Sequence, residues 1–341
     1  MGEADPGVAG PHTWRGRGRL VAERLPDFLK MRPYLREMVW GGRRLESEFG
    51  KALPPGKAIG ESWEVSAYEG MESVVEGGPF DGWDLRRLTE VHGEGLLGGA
   101  AAERYDGAFP LLIKMLDATQ DLSIQVHPDD AYAQANDLGR FGKMEAWYVL
   151  KSDGGRIAYG LREGNDADSF QKAIEEGSVE SAVRYLDASP GDVVPLMPGT
   201  VHALCAGVMV YEVQQTSDLT FRIYDYGRPG PDGKPRDLHI EQAMDVIDFG
   251  EEQPRVVRAT DDSVLFETEH FRLERIRPDG RSIERPPVGS FTALTVVSGE
   301  MTVTSDNASE VMATGDTVLV PAGRGFTVAG EGDALGASVP T

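Results

Sequence analysis

Two stretches far apart in the chain follow one plan: GDVVPLMPGTVHAL from Gly191 and GDTVLVPAGRGFTV from Gly315. Each opens on Gly-Asp, continues through a β-branched run, and turns at a proline and a glycine before a second β-rich segment. Three residues after that glycine the copies part, with His202 in the first and Phe326 in the second. Upstream, AWYVLKSDGGRIAYG pairs loosely with LTVVSGEMTVTS. The repeat predicts an all-β chain with a few helices, built from two copies of one module, with imidazole chemistry in the first copy alone. Forty-two glycines and 21 prolines, spread without a period over 341 residues, suit the many tight turns this needs.

Residues 1–30, around GVAGPHTWRGRGR, show no sustained apolar period and read as a loose extension. Residues 31–250 read as the first module and 251–341 as the second. Asp84–Val91 and Ser169–Leu186 are expected to be helical, the latter as a pair split at Gly177 with Ser169 as its cap. With 34 basic against 56 acidic residues the net charge is −22, so the surface as a whole repels nucleic acid and anionic membranes. Any anionic ligand must therefore meet a local basic pocket. The lone Cys205 excludes an intrachain disulfide and, within ALCAG, reads as a buried thiol. No stretch approaches the ~20 apolar residues of a membrane span or the layout of a signal peptide, and a cytoplasmic location is expected.

The stretch SIQVHPDDAY concentrates the chemistry. Side chains at i and i+2 share a strand face, so Gln125 and His127 converge before Pro128 ends the strand. Glu145 lies at the start of a later strand in GKMEAWY, and His202 follows the turn at Gly199. Two imidazoles, one carboxylate and one amide oxygen form a ligand set for a divalent metal, of a softness that suits zinc. Nothing near His92, His239 or His270 completes such a set. Lys114, a single cation in the apolar run PLLIKML, is expensive to bury without an anionic partner, which is either a ligand or a structural ion pair. Lys143 stands two residues before Glu145. Arg222, in SDLTFRIYD, either serves a site or pairs at the surface with Asp218 or Asp225.

These motifs are similar to those of the cupin superfamily, whose second motif is a Gly-Asp turn, a strand, a Pro-x-Gly turn and a histidine. Here Met197 stands where that proline is usually found, with Pro198 next to it. More specifically, the chain resembles the type I mannose-6-phosphate isomerases in their short bacterial form. The resemblance runs from Met31 to about Arg228 through VWGG, GESWE, LLIKMLDA, SIQVHPDD, GKMEAWY, PGTVHAL and QQTSDLTFRIYD. It implies a double cupin of two jelly-roll modules, the second degenerate and metal-free, with one zinc ion per chain on Gln125, His127, Glu145 and His202. It implies Arg222 as the active-site arginine, with Trp40, Glu61, Lys114, Ser123, Lys143 and Glu212 lining the pocket. A generic cupin carries His-x-His with its glutamate close behind; the Gln-x-His pair and distant Glu145 favour the isomerase over an iron dioxygenase.

The activity so implied is interconversion of mannose 6-phosphate and fructose 6-phosphate through a cis-enediolate, with a small sugar phosphate as partner and neither nucleic acid nor membrane. Lys143, Glu212 and His127 could each carry the proton, but a metal-bound imidazole is a poor base. An isomerase of another aldose or aldose phosphate, and a sugar-phosphate-binding cupin without turnover, remain the alternatives.

Overall fold

The structure is a computed structural model that describes residues 24–230, 233–250, 255–258 and 264–341. The extension expected over residues 1–30 therefore lies mostly outside the described residues. The chain is dominated by antiparallel strands arranged in three sheets. One has seven strands in the order Val257–Arg258, Asp192–Leu196, Glu145–Ser152, Val208–Gln215, Leu111–Asp117, Ile59–Val65 and Tyr34–Gly42. A second has five: Phe221–Tyr224, Ile124–Val126, His202–Leu204, Arg156–Leu161 and Val183–Asp187.

These two sheets face each other as a jelly-roll sandwich, with Trp147, Val149, Val194 and Val210 of the first packed on Ile157, Tyr159 and Leu204 of the second. The outer face of the five-stranded sheet is covered by the helices Ala167–Glu175, Val179–Ala182 and Ile240–Val246, through Phe170, Ala182 and Ala243. The outer face of the seven-stranded sheet packs Ile113, Met115, Tyr148 and Tyr211 against Phe291, Ala293, Leu319 and Leu335 of the third sheet. The seven-stranded sheet is thus buried on both faces, which is why LLIKML and EAWYVL read as continuous apolar runs without alternation.

The third sheet has nine strands, with the long Thr292–Thr304 and Phe326–Ser338 at its centre. Its own core gathers Leu294, Val296, Met301, Val318 and Phe326. The first described strand, Leu29–Arg32, joins this sheet and pairs with Thr317–Val320 in the register Leu29↔Leu319. The sequence repeat is visible as a repeated strand, turn and strand. His202 opens the strand after the first Pro-Gly turn, and Phe326 opens the strand after the second.

Two local expectations need correction. The helix starting after Asp84 runs on to Leu97, past Val91, with a break at Gly93. Ser169 is not the cap of the later helix: Asp166 is, its carboxylate accepting from Ser169 N at 2.9 Å while the Ser169 hydroxyl accepts from Asp166 N at 2.9 Å. A Ser three residues after an Asp completes a capping box from the inside. The second half of the expected helical pair is helical only over Val179–Ala182; Val183–Asp187 is an edge strand on Arg156–Leu161, with Val183 and Leu186 feeding different cores. Short apolar runs of this kind are ambiguous by periodicity alone.

Candidate metal centre and substrate pocket

The inner faces of the seven-stranded sheet change character along their length. Val208 and Val210 give way to Glu212 and Gln214; Val149 and Trp147 give way to Glu145; Leu116 gives way to Lys114. Because the strands are paired in register, Glu212 opposite Lys114 and Gln214 opposite Glu145, the polar positions fall at one end of the sandwich. The facing sheet answers with its own row: Arg222 and His202 both lie opposite Gln125, one on either side.

His127, Glu145 and His202 are all buried, and their ligand atoms lie within 4.8 Å of one another. Each imidazole is oriented from behind. His127 Nδ1 donates to the Leu219 carbonyl at 2.7 Å and His202 Nδ1 to the Thr200 carbonyl at 2.8 Å. A carbonyl only accepts, so each proton sits on Nδ1 and both Nε2 lone pairs point at the shared space. Glu145 Oε1 is 3.3 Å from His202 Nε2 and 3.6 Å from His127 Nε2. Gln125 Nε2 lies 3.4 Å from both Nε2 atoms, and its Oε1 accepts from Ser123 Oγ at 3.2 Å. Turning the amide over exchanges these atoms and brings the carbonyl oxygen to the cluster.

The donor set fits a cation on a second ground: both Glu145 oxygens are buried without a hydrogen bond, although Lys143 Nζ approaches Oε2 at 2.6 Å as an ion pair. Burial opposes the charge on Glu145, but the Lys143 ammonium beside it outweighs that and holds the carboxyl well below its usual range. Burial, with Lys143 behind it, pushes His127 down to about 3, leaving a neutral imidazole fit to be a ligand.

Two close approaches set this geometry. Gly142 packs so tightly on the Pro128–Asp129 backbone that an added Cβ would meet it at 2.3 Å, and Lys143 N donates to Pro128 O at 2.9 Å. Lys143 Nζ is thereby brought to 3.1 Å from His127 Nε2. Gly199, with φ of +85°, closes the turn before His202 and donates to His127 O at 2.9 Å.

Above the cluster lies a cavity of about 110 Å³. Gln125 and Lys143 form part of its lining, together with Trp40, Glu61, Lys114, Ser123, Glu212 and Arg222. Every residue singled out from the sequence is therefore at the cluster or in the cavity above it. Arg222 makes neither of the ion pairs weighed for it. Its Nε is buried without a hydrogen bond, and among the described residues its side-chain hydrogen bond is one of 3.4 Å from Nη1 to Asp237 O. Arg228, by contrast, is tied to Asp225 at 2.7 Å.

Lys114 does make the structural pair. Its Nζ reaches Glu212 Oε1 at 3.0 Å and Gln214 Oε1 at 2.7 Å, while Trp147 Nε1 donates to Glu212 Oε2 at 2.7 Å. Burial alone would lower the Lys114 pKa, but Glu212, Glu61 and Asp218 together raise it above the ordinary lysine value. Removing one partner leaves an uncompensated buried charge. Lys114→Met is expected to cost about 3–5 kcal/mol in chemical denaturation, with part of that recovered in Lys114→Met/Glu212→Gln. A single-variant cost under about 1 kcal/mol would show that the pair is hydrated.

Sequence reasoning missed Arg36, Thr220 and Arg236, which also line the cavity. The first two had a signal: Arg36, Met38 and Trp40, like Asp218, Thr220 and Arg222, are spaced by two. Arg236 arrives on a loop, held by Asp225 at 2.7 Å, and carries no such signature.

A jelly-roll sandwich with a His-Glu-His cluster at the polar end of its interior is a cupin with a metal-ligand set. The family model described as phosphomannose isomerase type I, catalytic domain, matches residues 28–163. The mannose-6-phosphate isomerase of Bacillus subtilis is 34% identical over 307 residues, 88% of this chain and 94% of its own. That of Streptococcus mutans is 33% identical over 302 residues, 87% of this chain and 92% of its own. The crystal structure of mannose 6-phosphate isomerase from Bacillus subtilis superposes with a TM-score of 0.82 at 30% identity, covering 92% of this chain and 99% of that one. The chain belongs to the type I phosphomannose isomerase family.

Proposed function

We propose that the chain interconverts mannose 6-phosphate and fructose 6-phosphate, using one zinc ion held by Gln125, His127, Glu145 and His202. The observation that carries this reading is the register row that sets Arg222 and His202 on either side of Gln125, with Lys143 reaching the same cluster. Zinc, when bound, supplies Lewis-acid polarisation of a sugar carbonyl. The remaining work falls to the chain. Removing a proton next to that carbonyl generates negative charge, and the unpartnered Arg222 Nε–H is a fixed donor for it. Lys143 Nζ and a Glu212 carboxylate oxygen are the two groups that would hold the migrating proton. The cluster is buried, and Trp147 and Leu204 give the cavity beside it an apolar wall that limits bulk water at the reacting carbons.

The second module is read as the metal-free copy, because buried Phe326 takes the place of His202. One zinc per chain follows, measured by elemental analysis. Phe326→His should recruit no second ion, since one ligand does not make a site; two equivalents in the parent chain would overturn this. The family and its phosphorylated substrates accord with a cytoplasmic setting, and among the described residues no helix is long and apolar enough to cross a membrane.

The route is tested by isomerisation in deuterium oxide. A proton held on Lys143 or Glu212 can trade with water before it is returned, so product should carry some deuterium. Complete retention of the original hydrogen in both directions would sink the cis-enediolate route in favour of a hydride shift. A zinc-loaded chain that leaves mannose 6-phosphate unchanged would point to another aldose or to a binding protein.

A further inference from the structure

The chain carries a net charge of −22, yet the seam between the seven-stranded and nine-stranded sheets opens into a cavity of about 430 Å³ with arginines in its wall. Arg275 is the unusual one. It lies on Arg272–Ile276 two residues from Leu273, a member of the inter-sheet core, so it projects toward the seven-stranded sheet. The residue is only 5% exposed. Among the described residues its guanidinium makes one ion pair, to Asp333 Oδ1 at 3.8 Å, and its Nε is buried without a hydrogen bond.

Asp333 cannot compensate this charge well, because Arg277 already holds both its oxygens at 2.7 Å. The other cations in the wall are accounted for: Arg258 pairs with Asp192 at 3.2 Å and Lys151 with Glu48 at 3.2 Å. A buried guanidinium in this condition is costly, and an apolar side chain would fill the same inter-sheet space without that cost. The Ser298 hydroxyl, also in the wall, accepts from Asp333 N at 2.9 Å and so keeps its own hydrogen for a ligand.

We infer that this seam binds a small phosphate-bearing anion, held by Arg275 with Ser298. The planar fork of arginine suits phosphate oxygens, and the cavity leaves room for a small organic body beside the phosphate. The site is separate from the sandwich interior. Tyr148 faces the seam, while Glu145 and Trp147, on the same strand, face the opposite way.

Thermal unfolding tests this in an Arg222→Ala background, which removes one cation of the sandwich cavity; Arg36, Lys114, Lys143 and Arg236 remain there, so the Arg275 variants decide which site binds. Inorganic phosphate and glycerol 3-phosphate are the two probes. At ten times its dissociation constant a bound anion should raise Tm by about 2 °C. A rise with both probes identifies the free anion as sufficient, and a rise with glycerol 3-phosphate alone identifies a phosphorylated metabolite; each supports the site. Adding Arg275→Met should abolish the rise. If that variant does not fold, Arg275→Lys should weaken binding about tenfold, because the charge stays and the fork is lost. Crystals grown with tungstate should show the metal beside Arg275. No rise with either probe, a rise unaffected by the Arg275 substitutions, or tungstate only beside Arg222 would overturn the proposal.

Discussion

Replacing His202 with alanine should leave a folded chain that has lost both its metal and its turnover. His202 is one of three buried groups whose ligand atoms lie within 4.8 Å, and nothing else on its strand can take its place, since Ala203 and Leu204 are apolar. Changing an outer group that merely orients a ligand typically costs 10–100-fold in metal affinity. Removing a ligand should exceed that, so at least about a hundredfold weaker zinc binding is expected after dialysis, with kcat falling into the background. His202→Gln is the companion variant, because it fills the volume. Near-ultraviolet circular dichroism should show native packing in both. A His202→Ala chain that keeps one tightly held zinc and full activity would remove His202 from the ligand set.

Arg222→Lys should retain most substrate affinity and lose roughly two or more orders of magnitude in kcat, the scale for removing one preorganised donor. Arg222 presents a buried Nε with no hydrogen bond, on the row it shares with Gln125. Burial, and then the Arg236 charge, press its pKa downward, so the guanidinium is held where its charge is least well solvated. Lysine keeps the charge on a flexible stem and cannot offer that Nε–H. Steady kcat with a sharply raised KM would instead make Arg222 the anchor for the phosphate group. Lys114 would then be the candidate for the catalytic donor, although its bonds to Glu212 and Gln214 occupy it.

The proposed metal ligands were legible because their signals are local. Gln125 and His127 follow from the spacing of two within a strand, and His202 from the Pro-Gly turn repeated around Phe326. Glu145 was visible only through the resemblance of GKMEAWY to its family, since a lone strand glutamate has no signature of its own. Arg36 and Thr220 obeyed the same alternation and were recoverable from it. The partner of Lys114 was not, because the register of Leu111–Asp117 against Val208–Gln215 is fixed by pairing between segments distant in sequence. Residues 183–187 were misread for a related reason: an apolar run of that length takes its conformation from the neighbouring strand.

The pairing of Leu29–Arg32 with Thr317–Val320 sets a waiting time during synthesis. Leu29–Arg32 can pair early with Val74–Val75, but it meets this second partner only after about 290 further residues have been made, which at ribosomal rates takes roughly 15–60 s. Over that interval the sandwich can close, since all its strands but the two-residue edge Val257–Arg258 are made by Tyr224, but the outer face bearing Ile113, Tyr148 and Tyr211 has nothing to cover it. A nascent chain paused there presents a bare apolar wall and an unpaired strand edge, the two features that recruit aggregation partners and chaperones. Chains released after residue 250 should therefore collect in the insoluble fraction even though they carry every proposed metal ligand.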